Sequence, residues 1–292
     1  MPRSTFAFSN FTSGELSPRL DGRIDLPKYY SGCKTLENMI VHPHGGATRR
    51  PGTRFIAETK SNGEARLIPF EFSTTQTYVL EFGNTYMRVY KDGGQVLNGG
   101  TPVEISTPYS ASEASELKFA QSADVLFIVH PSHQPRKLSR TSHTSWTLSL
   151  YAPTNNPFTS SNNFPSTVTF FEERLCFAGT NNAPQKLFFS KSGDFEDMTT
   201  GTNATDGMTF TIGSDQVNAI KYIKGLRTLL IGTTGGEFVA TASSSAEPIT
   251  PTNIQIKRQA GYGTSEVDAL LAGNRILFVQ RAGKKVRELV FD

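Results

Sequence analysis

Two histidine pairs and one acidic turn are the places in this 292-residue chain where side chains suited to catalysis or metal binding sit close together. His42 and His44 stand two apart in "VHPHGG", and His130 and His133 flank Pro-Ser in "VHPSHQP". A zinc-protease helix needs histidines at i and i+4 with a glutamate between them, so that both imidazoles share one face. Neither pair has that spacing, and no metal is expected at either. A serine nucleophile elbow needs G-x-S-x-G between a strand and a helix; "GTSEV" and "KSGDF" do not supply it. The turn "SKSGDFEDM", residues 190–198, carries Asp194, Glu196 and Asp197. Glycoside hydrolysis needs two carboxylates facing each other across a cleft. Three on one polar turn read as solvated, so no catalytic residue and no cofactor is expected.

Two further stretches invite a ligand and are better read as turns. "GTTGGEF", residues 232–238, is glycine-rich but lacks the P-loop lysine, and no helix follows to cap a phosphate. "RAGKKVRE", residues 281–288, is a basic hairpin whose lysines would be solvated. The net charge of +3 and pI near 8.8 are far from the clustered excess of a dedicated nucleic-acid binder. Charged residues make up 19%, less than the usual quarter, so the surface leans on Ser, Thr, Asn and Gly. The two cysteines, Cys33 and Cys176, are far apart and form no CxxC, which argues against a disulfide framework or zinc finger and fits assembly in a cytosol. The opening "MPRSTFAFSNFTSGELSPRL" has no apolar core of signal-peptide length, and no span reaches membrane-crossing length.

The elements that would position any site are short β-rich runs bounded by Gly, Asn, Asp and Pro. Five are alike: "YVLEF" from Tyr78, "VLFIV" from Val125, "LCFAG" from Leu175, "LLIGT" from Leu229 and "ILFVQ" from Ile276. Their starts are 47, 50, 54 and 47 residues apart. Each is preceded by an apolar stretch and a polar turn, as in "TVTFF-EER-LCFAG", and followed by a third stretch such as "PQKLFFS" or "GEFVAT". A fourth often follows: "TPVEIS", "SWTLSL", "GMTFTI", "NIQIKR". Four-stranded meanders repeating near every 50 residues predict an all-β chain of propeller blades. A β-sandwich with coincidental spacing is the alternative. Because the runs are continuously apolar, they are placed at the blade axes, buried on both faces. The fifth unit lacks its fourth strand, which "TRFIAE" could supply to close the ring.

The first fifty residues break the repeat. They contain "GELSPRLDGRIDL", "YYSGC", "TLEN" and "GGATRRPGTRF". In that order these resemble the opening of tail nozzle proteins of short-tailed bacteriophages, also called tail tubular B or stabilisation proteins. The later "RLCFAGT…PQKLFFSKSGDF" and "ALLAGNRILFVQRAGKKVRELVFD" are similar to the same family. Family members usually run hundreds of residues further, so this chain looks like their N-terminal portion.

The resemblance implies a β-propeller in each subunit of a hexameric homo-oligomeric ring in the virion tail. Such a ring would lie below the portal, contact an adaptor and tail fibre or distal tail proteins, and let double-stranded DNA pass on ejection. Two domains are expected: residues 1–52 as an extended N-terminal docking arm and connector, and residues 53–292 as the propeller. In residues 42–56 the glycines Gly45, Gly46 and Gly52 are free to take positive φ and Pro43 and Pro51 fix others, so the chain bends there. Arg49, Arg50 and Arg54, with Arg19, Arg23 and Asp25 on the arm, are the candidate contacts to a neighbouring subunit or the adaptor, because guanidinium forks bind carboxylates and carbonyls. A cellular propeller that binds a partner protein, and a propeller hydrolase acting on glycans, are the competing readings.

Overall fold

The computed structural model describes residues 7–213, 218–244 and 246–290. The rest, including residues 1–6 of the stretch inspected for a signal peptide and the last two residues of the fifth unit, lie outside it. The chain divides into two compact units, Met1–Phe55 and Ile56–Asp292.

The larger unit is an all-β propeller of five antiparallel blades. Blade 1 is built on Arg66–Ser73, Gln76–Gly83, Tyr86–Lys91 and Glu104–Ser106, with the short Gly94–Gln95 added to its third strand. Blade 2 runs Lys118–Ser122, Val125–His130, His133–Arg140, Trp146–Leu150. Blade 3 runs Thr167–Phe171, Arg174–Ala178, Lys186–Phe189, Met208–Thr211. Blade 4 runs Ile220–Gly225, Leu229–Thr233, Gly236–Thr241, Gln255–Ala260. Blade 5 has three strands: Leu270–Ala272, Arg275–Val279 and Val286–Val290. The stretch from Thr53 to Glu58 forms no strand, so "TRFIAE" does not complete the fifth blade.

Each of the five apolar runs is the second strand of its blade, not the axial one. The axial strands are the first ones, and those of blades 2, 3 and 4 lie against each other in turn. The Ile223 amide donates to Thr167 Oγ1 at 3.3 Å, joining the first strands of blades 4 and 3. Lys118 Nζ reaches from blade 2 to the Lys221 carbonyl of blade 4. The second strands of blades 2, 3 and 4 read as apolar because both their faces are covered by neighbouring blades. The first strands, "KFAQS" and "IKYIKG", carry polar residues because alternate side chains turn to the axis.

Four apolar clusters weld the seams. Phe70, Leu80, Leu126 and Trp146 belong to the seam of blades 1 and 2, and Phe127, Tyr151, Phe177 and Phe188 to that of blades 2 and 3. Phe189, Ile223, Ile231 and Phe238 join blades 3 and 4; Tyr222, Leu230, Ile276 and Phe278 join blades 4 and 5. Among the described residues no such cluster joins blade 5 to blade 1. Strand register explains what is left uncovered. In blade 1, Ile68, Leu80 and Val89 face blade 2, so their neighbours Leu67 and Val79 face away. In blade 5, Ile276 and Phe278 face blade 4, so Leu270 and Val286 face away. These four side chains are 63%, 40%, 65% and 70% exposed.

Candidate functional site

The smaller unit holds the candidate contact residues. Residues 8–25 depart from the extended arm that the sequence predicts. Gly14 takes φ 65° and Gly22 φ 77°, and Pro18 opens the 3-10 turn Pro18–Leu20. Gly14–Glu15 then pairs in parallel with Gly32–Cys33. The stretch at residues 42–56 is not wholly irregular either, since Met39–Val41 and Ala47–Arg49 form a hairpin across it. Of its three glycines only Gly45 takes positive φ, at 107°. The Phe11 amide bonds the Gly45 carbonyl at 2.7 Å, and a Cβ on Gly45 would stand 3.4 Å from the Ser9 carbonyl.

The six candidate residues separate into two groups. Arg23 forks onto Asp25 with both contacts at 2.8 Å, and each shifts the other's pKa toward the charged form, Arg23 upward and Asp25 downward. Arg50 donates to the Asn38 side-chain oxygen at 2.7 Å and to the Pro51 carbonyl at 3.1 Å. These three are engaged inside the unit. Arg19, Arg49 and Arg54 are exposed, and their side chains have no hydrogen-bond or ion-pair partner among the described residues.

The propeller axis carries a charged cluster that the sequence did not reveal. Lys118, Lys221 and Lys224 project from first strands, and Arg66 begins the first strand of blade 1. Lys224 Nζ pairs with Asp268 Oδ2 at 2.6 Å, and Lys221 pairs with Glu266. Arg66 donates to the carbonyls of Ser115 and Leu117 at 2.8 and 2.6 Å. Burial pushes the Lys118 ammonium and the Arg66 guanidinium below their ordinary values, with Asp268 opposing in both cases. Two of these cations are thus paired with carboxylates and the other two, Lys118 and Arg66, donate to backbone carbonyls. The signal available in sequence was a lysine or arginine in the stretch before three of the five apolar runs, those of blades 1, 2 and 4.

The acidic turn of blade 3 is structural. Lys191 holds Asp197 at 2.8 Å and lowers its carboxyl to about 2. Asp194 Oδ1 accepts the Glu196 amide at 2.9 Å. Ser190 is buried, its hydroxyl accepting the Leu175 amide at 3.0 Å. Thr233 Oγ1 likewise accepts the Gly236 amide at 3.1 Å, so "GTTGGEF" is a hairpin turn. In "RAGKKVRE", Arg287 stacks 3.9 Å over the Tyr262 ring. One grouping runs against expectation: His130 and His133 are drawn together with Glu113, all donor atoms within 4.8 Å of one another.

No protein-family model matches the chain, and no curated protein matches it. Among solved structures the chain is similar to apo AztD from Citrobacter koseri, at 11% identity and TM-score 0.39, over 77% of this chain and 55% of that one. It is similar to BamB from Moraxella catarrhalis at 10% identity and TM-score 0.39, over 77% and 56% of the two chains. For the β-propeller domain of Cps50 (Swd1) from Myceliophteria thermophila the values are 10%, 0.41, 73% and 69%. The chain spans about half the length of the first two. At such identities and scores no role carries over from these proteins. No helix among the described residues is long and apolar enough to cross a membrane.

Proposed function

We propose that this chain is a structural β-propeller that works by docking to other protein chains and performs no catalysis. The observation that carries this reading is a contrast in how its polar groups are used. The acidic turn of blade 3 and the axial lysines are paired or bonded within the fold, whereas Arg19, Arg49 and Arg54 stand exposed and unpaired. The uncovered apolar side chains of blades 1 and 5 add to it, since contiguous exposed apolar surface marks protein contacts.

The sharper reading within this class is a subunit of a phage tail nozzle. It is supported by the ordered N-terminal motifs "GELSPRLDGRIDL", "YYSGC", "TLEN" and "GGATRRPGTRF". On this reading copies of the chain form a ring in the virion, Arg49 and Arg54 fork onto carboxylates or carbonyls of a neighbouring subunit or adaptor, and duplex DNA passes through the lumen. The alternative, a monomeric propeller scaffold in a cell, is favoured by the propeller architecture itself. Negative-stain imaging and mass photometry of the purified chain separate the two. A ring whose lumen admits duplex DNA, weakened by Arg49→Ala with Arg54→Ala while far-UV circular dichroism stays β, is the expected result. A monomer at every concentration rejects the nozzle and leaves the scaffold. Release of reducing sugar from a glycan substrate rejects the structural reading altogether.

A further inference from the structure

A two-residue turn, Pro131 and Ser132, joins the second and third strands of blade 2, and His130 and His133 face each other across it as register partners. Cross-strand partners project from the same face of a sheet, so the turn itself forces the imidazoles together. Their ring centroids are 5.3 Å apart. The short helix Ala111–Ala114 brings Glu113 to the same place. Its carboxylate is fixed by the helix cap: Oε2 accepts both the amide and the hydroxyl of Ser110 at 2.8 Å. Oε1 is thereby turned outward, 3.0 Å from His133 Nε2. Those cap bonds, with the Ser110 amide first, hold the Glu113 carboxyl down at about 2, so it is an anion at neutral pH.

His130 supplies the second, independent sign of a ligand. Its side chain is 3% exposed, and Nε2 makes no well-aligned hydrogen bond among the described residues. The nearest charge is Glu116 Oε2 at 3.3 Å, on a side chain 66% exposed, which gives the cluster a mouth to solvent.

We propose that Glu113, His130 and His133, closed by Glu116, form a binding site for a divalent cation of the zinc class. Two imidazoles and two carboxylates suit zinc, whereas calcium and magnesium take oxygen donors alone. Two carboxylates also neutralise a dication. Zinc bonds of about 2.0–2.2 Å place tetrahedral donors roughly 3.4 Å apart. The 3.0 and 3.3 Å contacts already match that, the donors of Glu113, His130 and His133 lie within 4.8 Å of one another, and the remaining separations, those to Glu116 included, must close on binding. The proton balance is explicit. The Ser132 amide donates to His130 Nδ1 at 3.1 Å, so in the free protein the ring proton sits on Nε2. Coordination through Nε2 moves that proton to Nδ1 and breaks the Ser132 bond. His133, whose Nε2 faces Glu113, tautomerises in the same way.

Calorimetric titration of the chelator-treated full chain with zinc chloride tests the proposal. One zinc should bind, magnesium and calcium should not, and His133→Gln should weaken zinc at least tenfold. The stacked pair His42 and His44, with centroids 5.2 Å apart, is the competing locus. His42→Ala with His44→Ala should leave the affinity unchanged. If that double variant abolishes binding, or if the unaltered chain binds no zinc, the proposal is overturned. Because substitutions in the cluster could disturb the blade, the unaltered protein provides a second readout. On zinc addition the Ser132 amide proton should shift upfield in a ¹H–¹⁵N spectrum as it loses its acceptor. A static Ser132 resonance with saturating zinc bound also refutes the site.

Discussion

Replacing Gly225 by alanine tests the axial packing most directly. Gly225 ends the first strand of blade 4, and an added Cβ would stand 2.5 Å from the Phe170 carbonyl oxygen of blade 3. That oxygen belongs to a strand backbone and cannot rotate away. An ordinary Cβ contact needs at least 3.4 Å, so the two axial strands must separate by most of an ångström or one must twist. Overpacking of this kind costs about 1–3 kcal/mol. Against it stands the gain of about 0.4–1 kcal/mol from a less flexible unfolded chain. The net is a loss of about 1–2 kcal/mol, which for a unit of this size lowers the melting temperature by roughly 2–8 °C. Gly94→Ala serves as the control, because its Cβ would meet nothing nearer than 3.9 Å. Scanning calorimetry on both variants decides the matter. If Gly225→Ala melts at or above the unaltered chain, as Gly94→Ala should, the first strands of blades 3 and 4 do not lie as described.

Arg174 donates to the carbonyls of Ser190, Asp206 and Ala204 at 2.8, 2.6 and 2.5 Å from a nearly buried position in blade 3. Arg174→Met should therefore cost about 2–4 kcal/mol in urea denaturation, since bonds from a charged donor are worth about 1.5–3 kcal/mol each and water regains part of the loss. Cys176 is fully buried and its thiol is pushed up by burial, whereas Cys33 is half-buried. A thiol reagent at neutral pH should label Cys33 alone until urea is added, and rapid native labelling of Cys176 would contradict the blade 3 core. The Glu113 carboxyl lies below its unfolded value, so its contribution to stability is present above pH 4.5 and is lost as pH falls toward 2. The stability gap between the unaltered chain and Glu113→Gln should close over that window; a gap constant with pH would show that the cap bonds do not favour the ionised form.

The fold was legible because its signals are local and repeated. Five continuously apolar strands at a near-constant interval leave few architectures, and those of blades 2, 3 and 4 are apolar throughout because both their faces are buried. The same rule misplaced the strands by one position. The sequence shows that a strand is covered on both sides, and in a propeller the second strand is covered more completely than the first. Lys118 in "KFAQS" and Lys221 in "IKYIKG" lie toward the propeller axis, yet in sequence they read as surface residues. Their partners are distant in sequence: Lys221 pairs with Glu266, more than forty residues on, and Lys118 donates to the Lys221 carbonyl. The candidate contacts failed to separate for a similar reason. Arg23 and Arg50 look like Arg49 and Arg54 in sequence, and only the positions of Asp25 and Asn38 distinguish a self-satisfied guanidinium from an open one.

The histidines show where motif spacing misleads. The i, i+4 rule assumes a helix, and it dismissed "HPSH" because three residues is the wrong interval there. Across a two-residue turn the rule changes: i and i+3 are opposed on paired strands, and a spacing useless on a helix becomes a convergent pair. The apolar run "VLFIV" identifies a strand ending at Val129, next to His130, so the turn could have been read from the sequence. What could not be read was Glu113, whose arrival depends on how a one-turn helix packs against the blade. A metal-site reading from sequence must therefore fix the local element first and apply the ligand spacing that belongs to that element.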